Sequence, residues 1–160
     1  PRVVEVGEGT YTTAELLERE RAILADAERT ATARLGLVEP RVSERILEAR
    51  AQEGRGLSAE QAAAVRALTT SGRGVEVVEA HAGTGKTHTL GAIADVYRAA
   101  GYEVIGVAPT GRAARELAEV AGDARTLDGL AERLGRRGGF ERGRPIVVLN
   151  DEAGMNPTRT

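Results

Sequence analysis

The chain has 160 residues, of which 41% are hydrophobic and 29% charged, so it can build about one domain with an apolar core. It has no cysteine and two histidines, which excludes disulfide frameworks, thiolate metal sites and His-rich metal centres. The formal net charge of -2 excludes a uniformly basic surface, so any contact with nucleic acid must be local.

The first part of the chain is expected to be helical, and we interpret residues 1–56 as a helical preface and linker. Thr12 and Glu15 have the spacing of a capping box, and an amphipathic helical pattern follows them to about Leu35. A shorter helix is predicted over 43–52, before a glycine-containing joint.

Residues 57–160 alternate between strand and helix patterns, which predicts right-handed crossovers and a parallel α/β sheet. Ser58 and Gln61 have the spacing of a second capping box, which opens a helix. Glycines at 101 and 122 end the two later helices. The predicted strands are β-branched-rich runs at 75–80, 103–108 and 146–149.

The segment AHAGTGKT lies between a predicted strand and a predicted helix, which is the context that a phosphate-binding loop requires. Its glycines let successive N–H groups point at phosphate oxygens. Lys86 is the only lysine in the chain, and a compact ammonium suits the β- and γ-phosphates of ATP better than a planar guanidinium does. An ordinary glycine-rich turn is the alternative. The predicted nucleotide-binding residues are Ala80, Gly83, Thr84, Gly85, Lys86 and Thr87, with Thr87 also a ligand of Mg²⁺.

The two histidines, His81 and His88, flank this loop. We interpret them as packing or incidental residues rather than ligands, because a lone histidine is seldom diagnostic.

Asp151 and Glu152 follow an apolar strand in PIVVLNDEAGM. In a phosphate-loop hydrolase, such a pair holds Mg²⁺ through the aspartate and activates the attacking water through the glutamate. We therefore predict Asp151 as a metal residue, and Glu152 and Lys86 as catalytic residues. The start of a solvated loop is the alternative.

Five segments occur in order: LSAEQAAAV, AHAGTGKT, APTGRAARELAE, TLDGL and VVLNDEAGM. Together they resemble the opening motifs of RecD-like superfamily 1 DNA helicases and, more narrowly, of the helicase portion of TraA-type (MobF) conjugative relaxases. The resemblance implies an N-terminal RecA-like lobe with a P-loop NTPase sheet flanked by helices. It also implies single-stranded DNA and a second RecA-like lobe as partners.

The resemblance assigns further roles residue by residue. Gln61 would contact adenine, Pro109 and Thr110 would touch the DNA backbone, and Thr126 would lie near another DNA-contacting motif. Gln61 has the alternative of closing its capping box, and Thr110 that of capping the next helix. Asp128 stands where relatives often have histidine, and nothing resembles a relaxase nicking site.

We therefore predict an ATP- and Mg²⁺-dependent motor lobe that serves conjugative DNA transfer or DNA repair and recombination. A small P-loop kinase, with Gly135 to Arg144 as its lid, and a non-catalytic nucleotide-gated module are the alternatives. No apolar run reaches about 18 residues and no signal peptide is evident, which predicts a cytoplasmic protein without a membrane segment.

The chain begins at Pro1 and ends soon after Glu152, and we expect it to be a truncated part of a longer polypeptide. In the related folds, another strand lies between the acidic-pair strand and the phosphate-loop strand. We therefore expect a sheet without one central strand, marginal stability, and weak or no hydrolysis by the isolated fragment.

Overall fold

A computed structural model describes residues 2–79, 85–135 and 143–151. Two sheets are present in these ranges, an antiparallel hairpin and a parallel sheet of three strands. In chain order, the elements are β1 (Val3–Gly7), β2 (Thr10–Thr13), α1 (Ala14–Thr30), α2 (Pro40–Gln52), α3 (Ala59–Thr70), α4 (Lys86–Ala99), β3 (Glu103–Ala108), α5 (Gly111–Ala121), β4 (Asp123–Thr126), α6 (Leu127–Gly135) and β5 (Ile146–Asn150).

The preface begins with a β-hairpin that the sequence did not predict, followed by the expected amphipathic helix. Thr12 lies in β2 and pairs with Val4, so the predicted capping box of Thr12 and Glu15 is wrong. Thr13 caps α1 instead, and its hydroxyl accepts a hydrogen bond from the N–H of Leu16 at 3.2 Å. Pairing across the hairpin keeps the backbone extended for one residue more than the helical pattern suggests.

The helix α2 packs into the same core as the nucleotide-binding part of the chain. Val38 and Leu47 are buried in one apolar cluster with Val65 of α3 and Val96 of α4. The helix begins at Pro40, because proline is well tolerated in the first helical turn. The apolar core therefore extends across residue 56, while the division into domains at that position stays a prediction.

The parallel sheet has the order β4-β3-β5, and β3 lies in the middle. The predicted parallel sheet is confirmed, and the strand predicted over 103–108 forms with those bounds. β3 is almost wholly buried because α4 and α5 pack against it and α6 covers Ile105 and Val107. Two short elements after α5, β4 and α6, were not predicted.

The strand predicted over 75–80 is wrong for residues 75–79, which form no strand. Their valines are exposed, with Val77 at 82%. A strand requires a neighbour that accepts and donates its backbone hydrogen bonds, and no described strand pairs with this run. The apolar pattern alone therefore does not produce a strand here.

Within the described ranges, no helix combines the length and the apolar character that crossing a bilayer requires.

Candidate nucleotide-binding site

The carboxyl ends of the three parallel strands bring several predicted site residues to one edge of the sheet. The register pairs Val107 of β3 with Asn150 of β5, and the N–H of Asp151 donates to the carbonyl of Val107 at 2.9 Å. On the other side of β3, Ala108 pairs with Thr126. This is the edge at which open α/β sheets bind their ligands.

The start of α4 reaches the same edge. Leu90, in the second turn of α4, packs on the apolar cluster that contains Ala108 at the end of β3. Lys86 and Thr87 form the exposed first turn of this helix. The first turn of α4 and the backbone of Asp151 thus both lie at the carboxyl end of β3.

Gly85 caps α4 in the left-handed region, with φ 76° and ψ 33°. Because glycine has no side chain, it leaves the N–H groups of the first turn without the side-chain oxygen that usually caps a helix. Such N–H groups bind anions well, and the helix dipole adds to the attraction. The end of the predicted phosphate loop thus has a backbone suited to phosphate.

Gln61 both caps its own helix and lies against Gly85. Its side-chain oxygen accepts from the N–H of Ser58 at 3.0 Å, and its own N–H donates to the Ser58 hydroxyl at 3.2 Å. The predicted capping box of Ser58 and Gln61 is therefore confirmed. A Cβ atom placed on Gly85 would stand 2.7 Å from the side-chain nitrogen of Gln61. Only glycine fits this approach without displacing Gln61, while the contact of Gln61 with adenine stays a prediction.

Replacing Gly85 with alanine is expected to weaken ATP binding about five- to tenfold, because the new Cβ displaces Gln61 and the residue must hold a strained left-handed backbone. Gly101→Ala is the matched control, since Gly101 also has a positive φ of 90° but has no atom within 4 Å of its added Cβ. Calorimetric titration with Mg-ATP distinguishes them: equal affinities for the two variants would contradict the close approach.

Both predicted DNA-contacting threonines cap helices. The hydroxyl of Thr110 accepts from the N–H of Ala113 at 3.2 Å at the start of α5. Thr126 accepts from the N–H of Gly129 at 3.2 Å at the start of α6. Pro109 directly follows β3 and is partly buried. The capping alternative for Thr110 is thus observed, and a role for these residues in DNA binding stays a prediction.

Some predicted site residues lie outside the described ranges. These are Ala80, Gly83, Thr84 and Glu152, together with His81 and most of the predicted lid. Of the nucleotide, metal and catalytic predictions, the described residues are Gln61, Gly85, Lys86, Thr87 and Asp151.

His88 has a specific contact that sequence reasoning missed. Its Nε2 atom lies 3.2 Å from the carbonyl oxygen of Gly56, in the joint before α3. The two residues are 32 positions apart, and a single histidine after a phosphate loop gives no local signal of such a partner. The interpretation of His88 as incidental therefore misses a tie between α4 and the joint.

The far ends of α3 and α4 are joined as well. The hydroxyl of Tyr97 donates to the carbonyl of Leu68 at 3.4 Å. Burial raises the pKa of Tyr97, and the nearby Tyr102 and Glu76 raise it further, so the hydroxyl keeps the proton that it donates. The helix that carries Gln61 is thus held to α4 at both of its ends.

These features are those of a P-loop α/β fold, and comparison with known proteins places the chain in a family. Residues 56–160 match the family model described as the AAA domain, and the chain therefore belongs to the AAA domain family. Within this family, the chain resembles the N-terminal lobe of RecD-like and TraA-type helicases.

Three relatives carry this resemblance. The chain is 46% identical over 68 residues to the ATP-dependent RecD2 DNA helicase of Deinococcus radiodurans, which is 42% of this chain and 9% of that protein. It is 36% identical over 105 residues to the conjugal transfer protein TraA of Agrobacterium fabrum, covering 62% and 9% of the two chains. It is 37% identical over 119 residues to the probable conjugal transfer protein TraA of Sinorhizobium fredii, covering 74% and 11%.

The aligned region thus spans between 9% and 11% of the length of these relatives. No solved structure gives a significant match.

Proposed function

We propose that the chain is the lobe of a DNA motor that binds Mg-ATP and hydrolyses it in response to single-stranded DNA. The observation that carries this proposal is the glycine-capped start of α4, with Lys86 and Thr87, at the same sheet edge as Asp151. This edge combines phosphate-binding N–H groups, one ammonium and one carboxylate. A phosphate-transferring site needs all three.

Each residue has a distinct task in this proposal. The Lys86 ammonium donates hydrogen bonds to the β- and γ-phosphate oxygens, and Gln61 contacts the adenine base. Ala80, Gly83, Thr84 and Gly85 form the backbone of the phosphate loop. Thr87 and Asp151 would hold Mg²⁺, which supplies positive charge beside the phosphates. Glu152 orients the attacking water and accepts its proton on the carboxylate.

DNA binding is proposed at the starts of α5 and α6, which follow β3 and β4 at this edge. Thr110 is exposed at the start of α5, and Arg112 and Arg115 are exposed in the first turns of the same helix. Backbone N–H groups and arginines of this kind hold phosphates without reading base sequence. Pro109, Thr110 and Thr126 would thus contact the backbone of single-stranded DNA.

The motor acts with a second RecA-like lobe in this proposal, and it works in the cytoplasm. Two relatives are named conjugal transfer proteins and one is named a DNA helicase. These names support a role in conjugative DNA transfer, with DNA repair or recombination as the other setting.

Glu152→Gln tests the proposed hydrolysis. We expect this variant to bind Mg-ATP as the unchanged chain does. When the proposed second RecA-like lobe is supplied, phosphate release should fall about 100-fold or more, because the amide cannot accept the proton of water. Calorimetry measures binding, and release of inorganic phosphate with and without single-stranded DNA measures turnover.

The same assay separates the alternatives. A small kinase would transfer phosphate to a metabolite and ignore DNA, and a nucleotide-gated module would bind ATP without any turnover. With a second RecA-like lobe supplied, phosphate release that is unaffected by both Glu152→Gln and single-stranded DNA would contradict the motor assignment.

A further inference from the structure

The helix α1 has an apolar face that is largely exposed. The helix contains no buried residue, and Ile23 and Leu24 in its middle are 62% and 64% exposed. Together with Leu16, Leu17 and Ala27, they recur at helical spacing and form one stripe along the helix, the α1 stripe. An exposed apolar stripe on an otherwise polar helix is suited to pairing with a second helix.

Charged residues lie on both sides of the α1 stripe. Arg21 and Glu28 are separated by about two helical turns, so they lie on the same side of the stripe. Arg19 and Asp26 have the same spacing and lie on the other side, because two residues correspond to about 200° around a helix. Arg19 and Asp26 also have contacts within their own chain, and we therefore base the pairing on Arg21 and Glu28.

This order of charges is self-complementary when two copies of α1 pair in opposite directions. A two-fold axis that passes between Ile23 and Leu24 brings the same side of each helix together. Arg21 then lies within about 3 Å, measured along the helix axis, of Glu28 of the second copy, since each residue adds about 1.5 Å. The symmetry repeats this pair, so that two pairs of opposite charge border the apolar contact.

Pairing in the same direction is disfavoured by the charges of the same helix. It would bring opposite sides of the two helices together, with Arg21 within about 3 Å along the axis of Arg19 of the second copy. It would also place Glu20, which lies within the α1 stripe, against its own copy. In the antiparallel pair Glu20 is opposite the small Ala27 instead, which leaves room for the carboxylate to reach water.

We propose that the α1 stripe is the surface through which two copies of this chain form an antiparallel dimer. Ile23 and Leu24 of each copy pack at the centre, and Arg21 of each copy contacts Glu28 of the other. A helix of 17 residues is about 25 Å long, and a pair of this size buries less than the about 1,200 Å² of a stable interface. The dimer is therefore weak, and it is independent of the nucleotide site.

Sedimentation equilibrium of the chain between about 5 and 500 µM tests the proposal. Leu24→Ser should weaken the dimer at least about tenfold, because the side chain becomes buried once in each copy. Leu134→Ser is the matched control, since Leu134 of α6 is 63% exposed and lies outside the α1 stripe, and its dimer affinity should be unchanged.

Exchanging the charges tests the antiparallel arrangement itself. Arg21→Glu and Glu28→Arg each create two pairs of like charge across the two-fold axis, so each variant alone should dimerise at least about fivefold more weakly. A mixture of the two single variants has opposite charges at both positions, and we expect it to form a mixed dimer as readily as the unchanged chain dimerises. The double variant should also recover the original affinity.

Circular dichroism confirms that each variant is folded, and if Leu24→Ser does not fold, the charge variants decide. A chain that stays monomeric at the highest concentration would overturn the proposal. A dimer that Leu24→Ser and Leu134→Ser weaken equally would do the same, because association would then use another surface. Single charge variants that do not recover on mixing would contradict the antiparallel pair.

Discussion

Replacing Lys86 with alanine is expected to abolish measurable binding of Mg-ATP at micromolar concentrations. The ammonium is the only lysine side chain in the protein, and it stands in the exposed first turn of α4 beside Gly85. A hydrogen bond to a charged group contributes about 1.5–3 kcal/mol, so its loss lowers the affinity by about ten- to more than a hundredfold. Calorimetric titration measures the change.

Lys86→Arg separates charge from shape. The guanidinium keeps the positive charge but is planar and bulky, so we expect this variant to bind ATP nearly as weakly as the alanine variant. Arg29→Ala removes a cation that is exposed on α1 and paired with Asp26, and its affinity should be unchanged. An affinity for ATP that survives Lys86→Ala would contradict the nucleotide site as a whole.

Replacing Asp95 with alanine is expected to give the largest loss of stability of any single charge removal in the described part of the chain. Asp95 of α4 is paired with Arg50 of α2, whose side chain is only 6% exposed. Two further arginines, Arg55 and Arg98, lie 3.6 and 3.5 Å from the same carboxylate. Without Asp95, the Arg50 guanidinium stays buried and uncompensated. Breaking a buried pair in this way costs about 3–5 kcal/mol.

The lower end of that range applies, because Asp95 itself is 31% exposed and solvent screens its charge. Urea unfolding monitored by circular dichroism measures the free energy. Combining Asp95→Ala with Arg50→Met removes the uncompensated charge. The double variant should recover most of the lost free energy of unfolding, because apolar replacement of a buried pair is often neutral.

Asp26→Ala breaks a pair that is exposed on both sides, and it should change the free energy of unfolding by less than about 1 kcal/mol. If Asp95→Ala were no more destabilising than Asp26→Ala, the buried pair would not be what fixes α2 to α4.

Two segments for which the sequence prediction fails show where a local pattern is insufficient to predict a strand. Residues 75–79 have a strong β-branched pattern and form no strand, whereas β4, with the sequence DART, has almost no apolar pattern and does form one. β4 pairs along its whole length with the central strand β3. Whether a partner strand is available therefore decides the outcome, and the local sequence does not contain that information.

The candidate site likewise combines residues that motifs nominate with long-range contacts that no local pattern indicates. Motif spacing and the family resemblance nominate Gln61, Gly85, Lys86, Thr87 and Asp151, and their roles at a nucleotide stay a prediction. The ties that hold these residues in place, from His88 to Gly56 and from Arg50 to Asp95, join positions 32 and 45 apart. Such long-range pairs depend on how helices pack against one another, and a single sequence does not show which residues will meet.

The exposed run at 75–79 also affects how copies of the chain behave towards one another. A backbone whose N–H and C=O groups have no partner strand, with exposed valines beside it, is a common starting point for edge-to-edge association between molecules. Here Glu76 lies between Val75 and Val77, and Glu79 follows Val78. Like charges brought together when copies of the run pair edge to edge repel each other. Repulsion between these glutamates therefore opposes edge-to-edge association of the exposed run at 75–79.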